Sequence, residues 1–383
     1  MGAETLLYGY GLVCLSMLAY NLVYSVYLRA GDRRLRRRME KLQRRIEAQL
    51  RAAQPDPAGT PRPVQVSHLT WMNRCLSRVS YLLAFDHLLE CRAGDAAFRE
   101  YLRQLQPVFL YLATVYRRRE DTQAAYFCHF LARHQLQRHM QMDEIQRALL
   151  GFLGRPSLYC RVNALKALCA FGSPETVAEA LLELQRRPDT LLHEKVITEC
   201  LLAYTGDSQA LIARLWERFD RFTVQLQRAV LDYIRFRSGG SGAEMEAILR
   251  DPGRDKELRF AAIRYFGRYP DPAIRGLLLD FVRDDDPLHW EYAAIAATAL
   301  AAYGGEDVED ALLQALRSPN WYVRYNASAS LEAHGLQYED MLAVLHGDDR
   351  YAREMLTYRI QSRALEARAA AGRTEREEAA AGV

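Results

Sequence analysis

The chain has few cysteines and almost no lysine. Its 383 residues include seven cysteines, none of them in a Cys-x-x-Cys pair, which excludes a disulfide framework and a zinc ribbon. Only four of the 51 basic residues are lysines, a bias that we attribute to the base composition of the coding sequence. The cysteines lie in apolar helical contexts, so we expect them to be buried and reduced.

The sequence also lacks the common catalytic motifs. It contains no GxGxxG, GxxxxGK[ST], GxSxG or HExxH pattern. His129, His134 and His139 are spaced by five residues, so they do not share one face of a helix. The acidic run 284–286 is best explained as a turn between helices, with an N-cap ahead of Pro287. We therefore expect no catalytic residue, no metal ligand and no cofactor.

Charge is balanced overall and uneven along the chain. The 51 basic and 48 acidic residues give a formal net charge of +3, which argues against a nucleic-acid partner. Residues 1–28 carry −1 and residues 29–51 carry +7, leaving −3 for the remaining 332 residues. A basic segment thus precedes a mildly acidic body.

The first 28 residues have the pattern of a membrane anchor. No charged side chain occurs between Glu4 and Arg29. As a helix, residues 5–28 span about 36 Å, enough to cross a hydrocarbon core of about 30 Å. Tyrosines, which favour the membrane interface, lie near both ends: Tyr8, Tyr10, Tyr24 and Tyr27. We expect an uncleaved transmembrane helix at residues 5–28; a cleaved signal sequence and a buried core helix are the alternatives.

The segment 29–51 comes next, with ten basic and three acidic residues. By the positive-inside rule it stays in the cytoplasm, so the N-terminus lies outside the cell membrane and the body inside. One apolar stripe runs along this predicted helix: Leu35, Met39, Leu42, Ile46 and Leu50. The helix is expected either to lie on anionic lipid headgroups or form a short coiled coil, or to act only as a topology signal and spacer. The candidate membrane-surface residues are Arg33, Arg34, Arg36, Arg37, Arg38, Lys41, Arg44 and Arg45.

The rest of the chain divides into a linker and a helical body. Residues 52–66 contain four prolines and predict an extended linker, so the basic helix and the body are expected to be separate units. Residues 67–140 are predicted to be helical and out of register with the later repeats, as a cap or degenerate repeats. Residues 141–347 carry the repeats, and residues 348–383 a C-terminal helix and a frayed tail.

One helix recurs along residues 141–347. Its copies begin at Arg161, Lys195, Gln227, Arg259, Glu291 and Arg324, in steps of 34, 32, 32, 32 and 33 residues. A first helix of each pair is predicted at 142–153, 174–184, 207–219, 243–250, 271–282 and 306–316. Two helices per repeat of this length predict an all-α fold, an α-solenoid of about six repeats.

The repeated helix resembles the HEAT repeat, in the short form of the bilin-lyase-type HEAT-like proteins. The resemblance rests on the pattern x-V/L/C-R-x-x-A-x-x-x-L-x-x-x-G, read at 160–172, 258–266 and 323–335. It implies an α-solenoid that binds other proteins, and it says little about chemistry. A bilin lyase or a metal-dependent enzyme would be the enzymatic alternative. The HEAT-like iron hydroxylases use several His-Glu pairs, however, and only His193-Glu194 occurs here.

The helix face opposite the buried stripe gives a candidate binding groove. On a regular helix this face would carry an aromatic ridge with arginines beside it, the residue types that binding hot spots prefer. The candidate partner-binding residues are Arg228, Asp232, Arg235, Phe260, Arg264, Tyr292 and Tyr325. Tight curvature or the C-terminal segment could instead fill the groove. Arg161, Arg259 and Arg324 are expected to be structural, pairing with turn carbonyls or acids.

Together these features predict a membrane-anchored scaffold or adaptor without catalytic activity. Its expected partner is a protein, an integral-membrane enzyme or its regulator, and the basic segment would contact lipid headgroups. No small-molecule substrate is evident. The alternatives are a cofactor-modifying enzyme of the HEAT-like type and a sensor of anionic membrane surfaces.

Overall fold

The computed structural model describes residues 2–52, 63–92, 95–134, 136, 143–187, 192–335, 344, 346–362 and 365. Within these ranges the chain is helical and contains no β-strand, which confirms the all-α class. It divides into two compact units, an N-terminal unit, Met1–Phe222, and a C-terminal unit, Thr223–Val383. Most of the proline-rich linker lies outside the described residues.

Helix α1, Ala3–Ala52, joins the predicted anchor and the basic segment in one continuous helix of 50 residues. It is long and apolar enough to cross a membrane. Its apolar part is exposed: Tyr8 is 78% exposed and Leu22 is 68% exposed. Exposed apolar surface on this scale is rare on a protein surrounded by water.

The second half of α1 packs against the N-terminal unit through α3 and α4. Leu42 and Ile46, from the predicted apolar stripe, are buried. The expectation that the basic helix and the body are separate units is therefore wrong. The stripe that could have faced lipid or a second helix is covered by the body, since burying apolar side chains stabilises the contact.

The helices of the N-terminal unit pack in two rows. Helices α3, α6, α8 and α10 follow one another in one row, and α2, α5, α7, α9 and α11 in the other. The first row contains helices from the segment predicted to be a cap together with α8, the first clear repeat copy. The bounds are α2 Val66–Leu76, α3 Val79–Cys91, α4 Ala96–Gln104, α5 Gln106–Tyr116, α6 Asp121–His134, α7 Asp143–Leu153, α8 Leu158–Phe171, α9 Pro174–Gln185, α10 Glu194–Leu202 and α11 Ser208–Glu217.

The C-terminal unit repeats this arrangement. Helices α12, α14, α16 and α18 pack side by side, and α13, α15 and α17 each pack on the helix that follows them. The bounds are α12 Val224–Arg237, α13 Gly242–Arg250, α14 Lys256–Arg268, α15 Pro272–Arg283, α16 Trp290–Ala299, α17 Glu306–Ala315 and α18 Trp321–Ala333. Residues 350–362 are also helical. The predicted helix pairs are present with ends shifted by a few residues.

Short polar residues set the helix starts. Asp207, Asp271 and Asn320 each accept a hydrogen bond at 2.9 Å from the backbone N–H two residues on, and so satisfy a donor that the helix leaves free. Asp286 does the same at 2.8 Å ahead of Pro287. The N-cap predicted in the acidic run is thus confirmed.

Small residues bring the helices of one row together. One face of α8 is buried throughout, and its residues include Cys160, Ala164, Ala167, Leu168 and Phe171. At the contact of α14 and α16, a Cβ added to Gly267 would lie 3.0 Å from the Cα of Ala299. Larger side chains at these positions would push the helices apart.

Candidate functional site

The predicted aromatic ridge is packed within the C-terminal unit. Phe260 is only 2% exposed, and its ring meets that of Tyr292 edge-on at 4.7 Å. Tyr292 in turn stacks on Phe281 of α15 at 5.1 Å and accepts a hydrogen bond from Arg259 at 3.0 Å. Phe260 is therefore covered, and Tyr292, which is half-buried, packs on α15 and Arg259, so neither forms an open ridge and the filled-groove alternative applies at these two positions.

Tyr325 is covered from the C-terminal side. Its ring stacks on Trp321 at 4.8 Å, and the Arg359 guanidinium lies over it at 5.1 Å. Arg359 also pairs with Glu332. At this position the C-terminal segment fills the predicted groove, the alternative that the sequence left open.

Most of the predicted groove arginines are paired. Arg228 lies 3.1 Å from Glu257, and Arg235 lies 2.9 Å from Asp232. Arg264 differs, because no hydrogen bond or ion pair joins it to another residue that the structure describes. Burial lowers the pKa of the Arg264 guanidinium; Asp232 opposes the shift, while Arg228 adds to it. A half-buried cation in this setting is a place where an anionic group would be stabilised.

A pocket of about 350 Å³ opens beside Arg264. Its lining residues come from α12, α14, α16 and α18: Arg228, Glu257, Phe260, Arg264, Trp290, Glu291, Ala294, Ile295, Tyr322 and Asn326. Three of the seven predicted groove residues line it. The others, Asp232, Arg235, Tyr292 and Tyr325, do not.

Sequence reasoning missed the aromatic wall of this pocket. Trp290 and Tyr322 stack with ring centroids 5.7 Å apart, and Tyr322 is 57% exposed. The prediction assumed that each helix copy presents the same column of residues. In the structure Tyr292 of that column stacks on Phe281 of α15, and the aromatic wall of the pocket comes from residues outside the column. The sequence signal for this wall was an aromatic residue at the start of two successive copies of the repeated helix.

The repeat arginines bind turn carbonyls, as predicted. Arg161 and Arg324 each donate from Nη1 to the carbonyls five and six residues earlier, at 2.8–3.0 Å. Arg259 donates from Nε to the carbonyl of Leu249 at 3.1 Å. These contacts fix the turn before the helix, so the three arginines hold the repeats together.

The predicted membrane-surface residues divide into two groups. Arg38 lies over the ring of Tyr81 at 5.6 Å, and Arg45 over that of Trp71 at 5.9 Å. Both therefore help to attach α1 to the body. The remaining six are exposed along α1: Arg33, Arg34, Arg36, Arg37, Lys41 and Arg44.

A cluster of side chains around one buried carboxylate, Asp86, joins α3 to α6. No sequence pattern predicted this cluster. Asp86, 2% exposed, accepts hydrogen bonds from Tyr126 at 2.6 Å and His134 at 2.5 Å, and Arg133 lies 3.5 Å away. Burial alone would raise the pKa of Asp86, but these partners lower it to about 2. The cluster is fully paired, and we assign it a structural role.

Metal-ligating side chains do not gather into a site in the described ranges. There, no group of three or more His, Cys, Asp and Glu side chains is placed to hold a metal ion. His193, of the single His-Glu pair, accepts a hydrogen bond from the backbone N–H of Lys195 and caps α10.

Comparisons with known proteins do not identify a family: no protein-family model matches the chain, and no curated protein matches its sequence. The function is therefore inferred from the surfaces of the two units.

Proposed function

We propose that the protein is a membrane-anchored adaptor that binds another protein through its C-terminal unit. Helix α1 crosses the cell membrane once, with its N-terminus outside and both helical units in the cytoplasm. The helix pairs of each unit form an α-solenoid of HEAT-like repeats. The partner is an integral-membrane protein, an enzyme or its regulator.

The pocket beside Arg264 is the observation that carries this proposal. It combines a half-buried guanidinium, which no acid pairs within the described residues, with the stacked rings of Trp290 and Tyr322. Tryptophan, tyrosine and arginine are the residues that contribute most to protein–protein binding. Phe260, which is almost fully buried, also lines the pocket, so a partner side chain bound there would have apolar surface beside it.

The pocket chemistry defines the group that the partner presents. Arg264 would bind a carboxylate of the partner. The Trp290–Tyr322 wall would pack against an apolar or aromatic side chain beside that carboxylate. Glu257 and Glu291 at the rim are occupied by Arg228 and Lys256, so they do not repel an incoming acid strongly. We therefore assign the pocket to a partner segment in which an acidic residue adjoins an apolar one.

The test is site-specific photo-crosslinking in the native membrane. A photoreactive amino acid replaces Tyr322 in the full chain, and the adduct is identified by mass spectrometry. The matched control places the same group at Phe236, which is 44% exposed and lies outside the pocket. The Arg264→Gln variant is then compared with the parent.

We expect one adduct at Tyr322 that is missing at Phe236. Arg264→Gln should reduce it by at least about tenfold, since a hydrogen bond to a charged group contributes about 1.5–3 kcal/mol. The adduct peptide should contain an acidic residue next to an apolar one. Equal adducts at both positions, or an adduct that Arg264→Gln leaves unchanged, would show that the pocket is not the binding site.

A further inference from the structure

Exposed arginines gather at one edge of the N-terminal unit. Arg74 and Arg78 lie at the turn between α2 and α3, and Arg117, Arg118 and Arg119 follow α5. All five side chains reach solvent, and none is paired with an acid in the part of the chain that the structure describes. Both groups lie at the C-terminal ends of helices in the same row.

Two contacts place these arginines at the same edge. Tyr116, the last residue of α5, donates a hydrogen bond to the carbonyl of Leu76, the last residue of α2, at 2.8 Å. At the other end of these helices, the backbone N–H of Val64 donates to Gln104 at 2.7 Å. Helices α2 and α5 are therefore parallel, and their basic ends are neighbours.

The packing of α1 shows which part of α1 this arginine edge faces. Arg45 of α1 lies over Trp71 in α2, whereas Arg38, seven residues earlier in α1, lies over Tyr81, just after the turn that follows α2. Helix α2 thus runs antiparallel to α1. Its C-terminal end, like that of α5, points back toward the apolar part of α1.

The distance from this edge to a bilayer is short. Arg38, which contacts Tyr81 at the start of α3, follows Leu28 by ten residues, about 15 Å of helix. The headgroup layer takes up about 5–7 Å of that length. The remainder is close to the Debye length of about 8 Å at physiological ionic strength, and an arginine side chain covers much of it.

We propose that this arginine edge, formed by Arg74, Arg78, Arg117, Arg118 and Arg119, binds anionic phospholipid headgroups and holds the body against the membrane. The inference rests on the proposed anchoring of α1 in the membrane. It adds a second contact made by the folded body, independent of the basic residues on α1 itself.

The helix dipole does not account for this charge. A helix C-terminus carries about half a negative charge, which one basic residue in the last turn complements. Here two arginines lie at the end of α2 and three follow α5, and within the described ranges their side chains have no acidic partner. Arg155 already occupies the carbonyls of Arg117 and Arg119, so the three guanidinium groups after α5 are not needed to cap it.

The experiment uses the full chain in lipid nanodiscs. A fluorescent amino acid replaces Thr122, an exposed residue just past the edge, and a nitroxide on the lipid headgroup quenches it. Quenching is measured in phosphatidylcholine alone and with added phosphatidylglycerol. The test variant is Arg117→Gln, Arg118→Gln and Arg119→Gln combined. The control removes the same charge from exposed positions on α4 and α7, with Arg99→Gln, Arg103→Gln and Arg147→Gln.

For the parent and the control we expect quenching to be at least about threefold stronger in anionic bilayers, since each arginine near such a surface adds about fivefold to binding. The difference should disappear in high salt and in the test variant. Equal quenching in both lipids, or a test variant that behaves like the control, would overturn the proposal. Loss of quenching with inorganic phosphate at matched ionic strength would assign the edge to free phosphate instead.

A separate experiment tests the premise that α1 is anchored in the membrane. Resistance of the chain to alkaline extraction from native membranes reports whether α1 is integrated. A chain that is extracted contradicts the anchor, whereas an integrated chain with lipid-independent quenching contradicts only the arginine edge.

Discussion

The arginines that begin the repeated helices show how one side chain can fix a turn. Arg324 is 7% exposed and donates from Nη1 to the carbonyls of Ser318 and Pro319. Both carbonyls belong to the turn after α17, where no helical N–H reaches them. The same contact recurs at Arg353, which donates to Gly347 at 2.6 Å, in a segment that the repeat pattern did not include.

Arg324→Gln is expected to lower the free energy of unfolding by about 1–3 kcal/mol, because two turn carbonyls lose the charged donor that binds both of them. Denaturant unfolding of the detergent-solubilised chain, followed by circular dichroism, measures this. Arg317→Gln is the control, since Arg317 is exposed in the same turn. Equal effects of the two variants would contradict the structural role of Arg324.

His68 makes the stability of the N-terminal unit depend on pH. It is buried, and its ring lies 2.8 Å from the Tyr101 hydroxyl. Burial, with a smaller contribution from Arg45, lowers its pKa from 6.5 to about 4. The unfolded chain therefore takes up a proton near pH 6.5, and the folded chain does so only near pH 4. Stability from this group is complete above pH 6.5 and is lost as the pH falls toward 4.

We expect the free energy of unfolding to fall by up to about 3 kcal/mol between pH 7 and pH 4 because of His68. His68→Gln keeps a hydrogen-bonding side chain and should remove this part of the pH dependence. His87→Gln, at a half-exposed histidine of α3, should not. A His68→Gln variant with the parent's pH profile would refute the assignment.

The residue roles that the sequence predicts correctly are the local ones. Arg161 and Arg324 bind carbonyls that lie only five and six residues earlier in the chain, so the position of each arginine in the repeat suffices to predict its contact. The Asp86 cluster joins residues 48 apart, and Tyr322 lines the pocket together with residues of three other helices. Such placements depend on packing between helices, which a single-helix projection does not contain.

At the scale of elements, α1 combines two environments in one helix. Its first part exposes apolar side chains, and its second part buries the stripe that contains Leu42 and Ile46 against α3. Glu47 pairs with Arg92 at 2.5 Å near the end of the contact. One continuous helix therefore joins the apolar segment to the part that packs on the body, in place of the separate units that the prolines predict.

Leu42→Ala should destabilise the packing of α1 on the body by about 2–5 kcal/mol, the usual cost of removing a fully buried leucine. Thermal unfolding in detergent, monitored by the fluorescence of Trp71 beside α1, reports the loss. Leu22→Ala on the same helix is the matched control, because Leu22 is 68% exposed. A Leu42→Ala variant as stable as Leu22→Ala would mean that α1 does not dock.

Helix positions can be predicted from the sequence because apolar periodicity, caps and prolines are local signals. The partner of an apolar stripe cannot be predicted in this way. A stripe on α1 predicts burial equally well against lipid, another copy or the body, and only the tertiary contact with α3 decides. For the same reason residues 67–140, out of register in sequence, still supply helices to the same two rows.

For the whole molecule, charge distribution determines how the chain would sit at a membrane. The exposed residues Arg33, Arg34, Arg36 and Arg37 lie on α1 between its apolar part and the docked segment that contains Leu42 and Ile46. If α1 spans the membrane as proposed, the positive-inside rule predicts that this charge keeps the following units in the cytoplasm. The acidic balance of the remaining chain contributes little, because acidic residues have a weak effect on orientation.

A reporter fused after Val383 should therefore be active only as a cytoplasmic reporter. Replacing Arg33, Arg34, Arg36, Arg37 and Arg44 by glutamine should invert a fraction of the chains, since it removes five of the ten basic residues of segment 29–51. Lysine at the same five positions keeps the charge and should keep the orientation. If the lysine variant also inverts, a specific arginine contact and not the charge sets the topology. If the parent reporter is external, the partner pocket and the arginine edge lie outside the cell.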